Sequence, residues 1–381
     1  MFAACLSLSG AGILLAQTTA ADFDRVGAAA AEARARGDAE EAAGLYAQAL
    51  ALRPDWQEGW WFLGVLNYGA DRYAPAIEAF DRYLALNPSG GPALALRGLC
   101  EFEAGRYPES LQDLQRAIAL GAADNPRNGT IVRYHEALLL TRLGRFEEAI
   151  GRYAAMVKKG EASGDLATGV GLAGLRMALL PSEVEPAEAA LVAAAGSAGM
   201  QVFSGDAAGG DAAFAEIFRR FPTAPNVHYF YGYLLLSADP VRAVAEFERE
   251  AAVSPRSANA HAMLAWATGM EGDFAASLPN AKLAAAEDPS LALGQLVLGK
   301  ALVETGDASG GAVHLETLLR TEPSNLEGHL ALAKAYSNLG RAEEARRERL
   351  ICLQLAGLGS ENRGAANRGT ESRGAGADAS R

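Results

Sequence analysis

The segment QEGWWFLGVLNYGADRYAPAIEAFDRYLALNPSG, from Gln57 to Gly90, decides the architecture of this chain. Trp60, Leu63, Gly64, Ala76, Phe80 and Pro88 mark its pattern. From Ala258 the pattern runs His261, Leu264, Ala265, Ala284 and Pro289; from Ala292 it runs Leu298, Gly299, Gly306, Leu315 and Pro323. The period is 34 residues. A fixed period of that length denotes a supersecondary unit that cannot bury its apolar face alone and is stable only when stacked on its neighbours. Small residues at Gly64, Gly98, Ala265 and Gly299 are expected to let the two helices of a unit approach closely. Tyr46, Phe80, Phe214 and Phe247 are expected to fill the space against the next unit. Prolines should end each second helix, because proline lacks the amide donor and clashes with the preceding turn.

Working outward, the first unit begins near Phe23, with Gly37 closing its first helix, Asp38 available as a cap for the second, and Pro54 at the end. The third unit (91–124) has Ala122 in place of the terminal proline. An insertion, Asn125 to Gly129, reads as a turn before the fourth unit (130–163). A second block starts near Leu191 and includes a unit (225–257) that has lost one residue where Asp239-Pro240 stands. Units from Ala258, Ala292 and Leu326 complete nine. Between the blocks, 164–180 reads as one odd helix closed by Pro181 and Pro186, a connection over 164–190 that should interrupt the alternation of first and second helices. Tight packing is the favoured reading of its glycines, Gly169, Gly171 and Gly174. The charged stretch Arg341 to Arg349 reads as the polar cap that a stack needs at its end. The domain reading is therefore a leader over 1–20, a four-unit block over 23–163, a five-unit block over 191–355, and a Gly-, Ser-, Asn- and Arg-rich tail over 356–381 that is expected to be disordered.

This spacing resembles the tetratricopeptide repeat over about 23–355. The resemblance implies an all-α, right-handed solenoid of helix–turn–helix repeats. It also implies that extended peptides or partner segments bind in a concave groove lined by the first helices. Carried over unit by unit, it puts Trp61, Tyr68, Phe102, Tyr134, Tyr229, Tyr233 and Trp266 on or near that surface, with Asn226, Asn259, Lys300 and Lys334. The carboxylate-clamp subgroup of the family uses a fixed set of Lys, Asn and Arg across three units; Lys300 and Lys334 occupy equivalent places, but the Asn partners do not follow.

Composition excludes several other classes. The chain has 381 residues and a net charge of −12, so a phosphate backbone would be repelled and nucleic acid is not an expected partner. Cys5, Cys100 and Cys352 have no paired spacing, so neither a disulfide framework nor a metal site is expected. His228, His261 and His329 fall at similar places early in their units, but no second set of ligands accompanies them, and packing is the expected role. Carboxylate pairs such as Glu147–Glu148 and Glu343–Glu344 sit just after helix starts, where they favour the helix dipole. No nucleophile elbow, phosphate loop or dinucleotide fingerprint is present, so neither an enzyme nor a cofactor is expected.

The uncharged apolar run Phe2 to Ala16, followed by Gln17, Thr18, Thr19 and Ala20, has the length of a secretory core and cleavage region, although no basic residue precedes it. Export to the periplasm or beyond is the expectation, with the cytoplasm as the alternative and no membrane insertion after cleavage. The leading functional expectation is a binding scaffold; the second is an accessory of a cell-envelope assembly, secretion or pilus machine.

Overall fold

In the computed structural model, residues 8–124, 129–161 and 164–357 are described. Among them every regular element is helical, and no strand occurs. Four helix pairs come first: α1 (Leu8–Arg36) with α2 (Ala39–Leu52), α3 (Gln57–Gly69) with α4 (Tyr73–Leu86), α5 (Gly91–Glu103) with α6 (Tyr107–Ala119), and α7 (Gly129–Arg142) with α8 (Phe146–Lys158). Then come α9 (Gly164–Gly174), α10 (Pro186–Phe203) and α11 (Ala207–Arg220). Three further pairs are α12 (Val227–Leu235) with α13 (Pro240–Val253), α14 (Ala258–Met270) with α15 (Phe274–Glu287), and α16 (Ala292–Glu304) with α17 (Ala308–Thr321). The last is α18 (Leu326–Asn338) with α19 (342–357). The chain divides into two units, Met1–Ile217 and Phe218–Arg381, each a stack of such pairs.

The turns follow from a few residues. Gly37, Gly105, Gly144, Gly205, Gly272, Gly306 and Gly340 close the first helices at positive φ, where a side chain would be strained. In the second repeat that place falls to Asp71, which adopts φ 55 without a glycine's freedom. Six second helices end two residues before a proline, at Pro54, Pro88, Pro222, Pro255, Pro289 and Pro323, because the residue preceding proline is steered out of the helical region, whereas α6 and α8 end without one. Side-chain caps differ between the units. Asp239, Asp273 and Asp307 accept from the third-residue amides of α13, α15 and α17. Asp38, expected to cap α2, makes no cap hydrogen bond and instead takes the Arg36 guanidinium at 3.0 Å.

Packing between the helices of a pair follows the small-to-large rule, with one correction. An added Cβ at Gly64 would lie 2.6 Å from the Phe80 ring, and one at Gly232 would lie 2.8 Å from Phe247. These rings therefore seat on the glycine of their own repeat. Tyr46 does reach forward, with ring centroids 5.6 Å from Trp56 and 5.5 Å from Phe62.

The segment between the blocks is shorter in helix than expected. α9 stops at Gly174, where Arg176 takes a left-handed conformation and the amide of Met177 bonds back to the Leu172 carbonyl at 2.9 Å. Residues 175–180 are not helical, and α10 begins at Pro186, ahead of the expected 191. Nor is α9 without a partner: it packs along α10 as closely as the members of the other pairs pack, and it also touches α7 and α8. Gly171 and Gly196 make this possible. A Cβ at either would lie 2.1 Å or 1.8 Å from a carbonyl oxygen of the facing helix.

At the far end, α19 buries Ala345 and Cys352 but leaves Leu350 and Leu353 exposed among Arg346, Arg347 and Arg349, so its outer face is not wholly polar. The residues 125–128 of the expected turn, the leader's first seven residues, Cys5 and the tail from 358 lie outside the described residues. α1 is continuous from Leu8 through the expected cleavage region to Arg36. Among the described residues, no helix is long and apolar enough to cross a membrane.

Candidate binding groove

Proline carbonyls organise the entry to several first helices. The carbonyl of Pro255 accepts from His261 Nε2 at 3.0 Å, that of Pro289 from Gln295 Nε2 at 2.8 Å, and that of Pro323 from His329 Nε2 at 3.0 Å. In the first unit Trp60 Nε1 does the same for Pro54 at 2.8 Å. The other end of each donor in the second unit reaches the second helix of its repeat: His261 Nδ1 meets Asn280 at 2.9 Å, Gln295 accepts from His314 Nδ1 at 2.7 Å, and His329 Nδ1 meets Glu348 at 2.5 Å. The recurrent histidine is thus one version of a clasp from loop to first helix to second helix, which a glutamine performs equally well. Replacing His261 with leucine is expected to cost about 1–2 kcal/mol, since its hydrogen bonds to the Pro255 carbonyl and to Asn280 are both lost. Glutamine at the same place should restore most of it. Urea unfolding followed by circular dichroism checks both.

His228 stacks on Phe218 at 4.0 Å and pairs with Glu246 at 2.7 Å. Among the described residues no group of three or more His, Cys, Asp or Glu side chains is placed to hold a metal ion. Cys100 and Cys352 are buried, and burial pushes the Cys100 thiol up to about 12.

The sequence-derived groove residues separate into two groups. In the first unit Trp61, Tyr68, Phe102 and Tyr134 stand half-buried on α3, α5 and α7. Trp61 leans on Phe80 and Tyr83, with ring centroids at 6.0 and 5.7 Å. It borders a cavity of about 650 Å³ whose wall includes Val65, Tyr68, Leu96, Leu99 and Ile131. Tyr68, Leu99 and Ile131 also border a further cavity of about 340 Å³ with His135. Ile131 and His135 continue into another of about 350 Å³ with Tyr134, Met156 and Leu166. Shared lining residues therefore join α3, α5, α7 and α9 into one apolar trough. Leu120 and Ile131, both exposed, lie along it. The Tyr134 hydroxyl donates to the Asp165 carbonyl at 3.1 Å, and burial, aided by the Asp165 carboxylate, lifts its pKa to about 12. Phe102 packs edge-on against His135, with ring centroids 4.8 Å apart.

In the second unit several of the corresponding side chains are engaged in packing, helix-start or ion-pair contacts. Tyr229, expected at the groove, is 4% exposed and packs on Phe247 at 5.6 Å. Asn226 starts α12 in a left-handed conformation, its amide donating to Glu250 at 2.8 Å. Lys334 is held by Glu304 at 2.6 and 2.5 Å, and Lys300 pairs with Glu327. Trp266 packs with Leu278, Leu293 and Leu302 against a core of Ala265, Ala281 and Val297. The space that Trp266 and Lys300 border is about 10 Å³, no more than one water needs. Asn259 and Tyr233 are half-buried on α14 and α12. Sequence reasoning missed Val65, Leu96, Leu99, Ile131, His135 and Leu166. The signal for them was an apolar residue on the first-helix face that the aromatics already marked, and aliphatic side chains on such a face read as core.

Below the trough, Arg97 forks onto Asp113 at 2.5 and 2.8 Å and reaches Asp81 at 2.6 Å. Glu101, one turn further along α5, is buried, and its Oε2 has no hydrogen-bond partner. Burial, reinforced by Asp113, raises its pKa from 4.5 to about 7. The folded state therefore holds this proton more tightly than the unfolded chain does, and stability falls as pH rises from about 4.5 to about 7. Glu101→Gln should add about 1–2 kcal/mol above pH 7 and nothing below pH 4.5, as denaturation at the two pH values would show.

A tetratricopeptide-repeat family profile matches residues 28–91, 68–125 and 296–348. Over these stretches the chain carries tetratricopeptide repeats. The matched stretches include α3 and α5 of the trough, whereas α7 and α9 lie outside them. No curated protein sequence matches the chain. Among solved structures, a crystal structure of MamA is similar at 18% identity and a TM-score of 0.38, covering 43% of this chain and 96% of that one. YrrB, described as a tetratricopeptide protein with an unusual peptide-binding site, is similar at 12% identity with a TM-score of 0.38, covering 43% of this chain and 84% of its own. These alignments span under half of the chain, and the assignment rests on the repeats themselves.

Proposed function

We propose that the protein is a non-enzymatic interaction scaffold whose first unit binds an extended segment of a partner protein in the trough along α3, α5, α7 and α9. The observation that supports it is a continuous wall of half-buried Trp61 and Tyr68 and exposed Ile131, with the buried Leu99 between them, beside cavities wide enough for side chains. Aromatic and aliphatic side chains left open to solvent over such a length are costly in isolation and serve when a partner covers them. The second unit spends its equivalent positions on ion pairs and core packing, and supports the stack instead. Trp61→Ala or Leu99→Ala should weaken binding of a peptide selected on the full chain by more than about 1 kcal/mol, while Trp266→Ala changes it little. Isothermal titration decides this, and equal binding by wild type and both trough variants would refute the assignment. Export is proposed on the strength of the uncharged apolar stretch Phe2 to Ala16; a mature amino terminus near Gln17 to Ala21 in fractionated cells would bear it out, and retention of Met1 would refute it.

A further inference from the structure

The trough is apolar along its wall and acidic along its rim. Glu58 and Asp55 stand at its α3 end, Asp71 and Glu103 at its middle, and Asp165 at its α9 end. All five are exposed, and none has a cationic partner within ion-pair distance among the described residues. Glu161, the sixth carboxylate on the lining, is already paired with Arg133 at 2.6 Å. Among the described residues one lining cation stands against these, Arg53, which lies 3.5 Å over the Phe23 ring and 3.8 Å from Asp24. Among the described residues, the rim therefore carries a negative charge without a paired cation at both ends and the middle of an apolar channel.

We propose that the partner segment is an extended basic peptide, with bulky aliphatic or aromatic side chains as anchors and Lys or Arg on either side of them. The proposal rests on the binding reading above and adds the partner's chemistry. The cavity of about 650 Å³ accepts the anchor, with Trp61, Tyr68 and Leu99 around it. In an extended chain, alternate residues about 6.6 Å apart face the same side. Anchors therefore alternate with positions that point to the rim, where Glu58, Glu103 and Asp165 receive cations. Each such surface pair is weak in water, but several carboxylates of one sign along a channel raise the local concentration of a basic ligand and exclude an acidic one. The repulsion of acidic segments is as much a part of the selectivity as the attraction. Because the rim is exposed, the preference should fade as salt shortens the screening length.

The test is a displayed library of random twelve-residue peptides, selected on the immobilised full chain, with selected peptides synthesised and titrated. The expected result is enrichment of Lys and Arg flanking Leu, Ile, Phe or Trp, with affinity at least tenfold weaker when those cations are replaced by Glu and when salt rises from about 0.05 to 0.5 M. The charge-reversed variant Glu58→Lys, Glu103→Lys, Asp165→Lys should lose these peptides. All three sites are exposed, so a far-ultraviolet circular dichroism spectrum matching wild type confirms that the variant is folded. Peptides that require Trp61 and Leu99 yet carry no basic enrichment, or that bind the reversed variant equally, overturn the basic-segment inference and leave the groove intact. Peptides whose binding ignores Trp61→Ala and Leu99→Ala, or a library that yields none, overturn the groove and this inference together.

Discussion

Replacing Gly196 with alanine is expected to lower the stability of the α9–α10 pair by about 3 kcal/mol, at the upper end of what overpacking costs. The new Cβ would fall 1.8 Å from the carbonyl oxygen of Ala167, a backbone atom on α9 that cannot rotate away. The reciprocal contact, Gly171 against the Val192 carbonyl at 2.1 Å, stiffens the same crossing from the other side. The helices must then separate. Glycine-to-alanine changes at Gly44 and Gly151, which face open space in α2 and α8, serve as controls and should be neutral or stabilising by several tenths of a kcal/mol. A stack whose repeats contact chiefly their neighbours loses stability locally. Hydrogen exchange should therefore speed up first in α9 and α10, and peptide binding should weaken with it, because Leu166 on α9 closes one end of the trough. Uniform exchange across all helices, or a Gly196→Ala protein as stable as the controls, would show that this crossing is not the tight point.

Glu250→Ala is the second large effect, again about 3 kcal/mol. The Glu250 side chain is fully buried on α13 and accepts from the backbone amides of Asn226 at 2.8 Å and Tyr229 at 3.2 Å. It therefore caps α12 from a neighbouring helix, in place of the side-chain cap that Asn226 does not supply. A carboxylate facing the first amides of a helix gains from two charge-assisted hydrogen bonds and from the positive end of the dipole. Alanine removes the acceptor and opens a small void. Glutamine keeps one carbonyl oxygen and should lose roughly half as much. Urea titration of the two variants, with far-ultraviolet circular dichroism as the readout, gives the ranking; an alanine variant within a few tenths of wild type would mean that water or another group takes over the cap.

Much of the architecture was legible in the chain because the repeat forces it. Gly64 and Phe80, or Gly232 and Phe247, are local pairs whose contact follows from sixteen or fifteen residues of helix, turn and helix. The proline stops were equally readable, since proline acts on its own backbone and on the residue before it. Asp71 in a glycine place and Asp38 without its cap were not readable, because each depends on which neighbour competes for the side chain: Tyr73 for one, Arg36 for the other. The histidines had a recognisable spacing but no visible purpose until the proline carbonyls lay opposite them.

The groove shows the limit most clearly. Position within a repeat places Trp61 and Trp266, or Tyr68 and Tyr233, on first helices, and the sequence alone determined that helical period, the turns and the close approach of each pair. Only the tertiary structure decided which of those faces stays open. Whether a ring borders a cavity of about 650 Å³ or a gap of about 10 Å³ is set by side chains from other helices, tens of residues away, that fill the space or leave it. Period is a property of one stretch of chain, whereas vacancy is a property of everything packed around it.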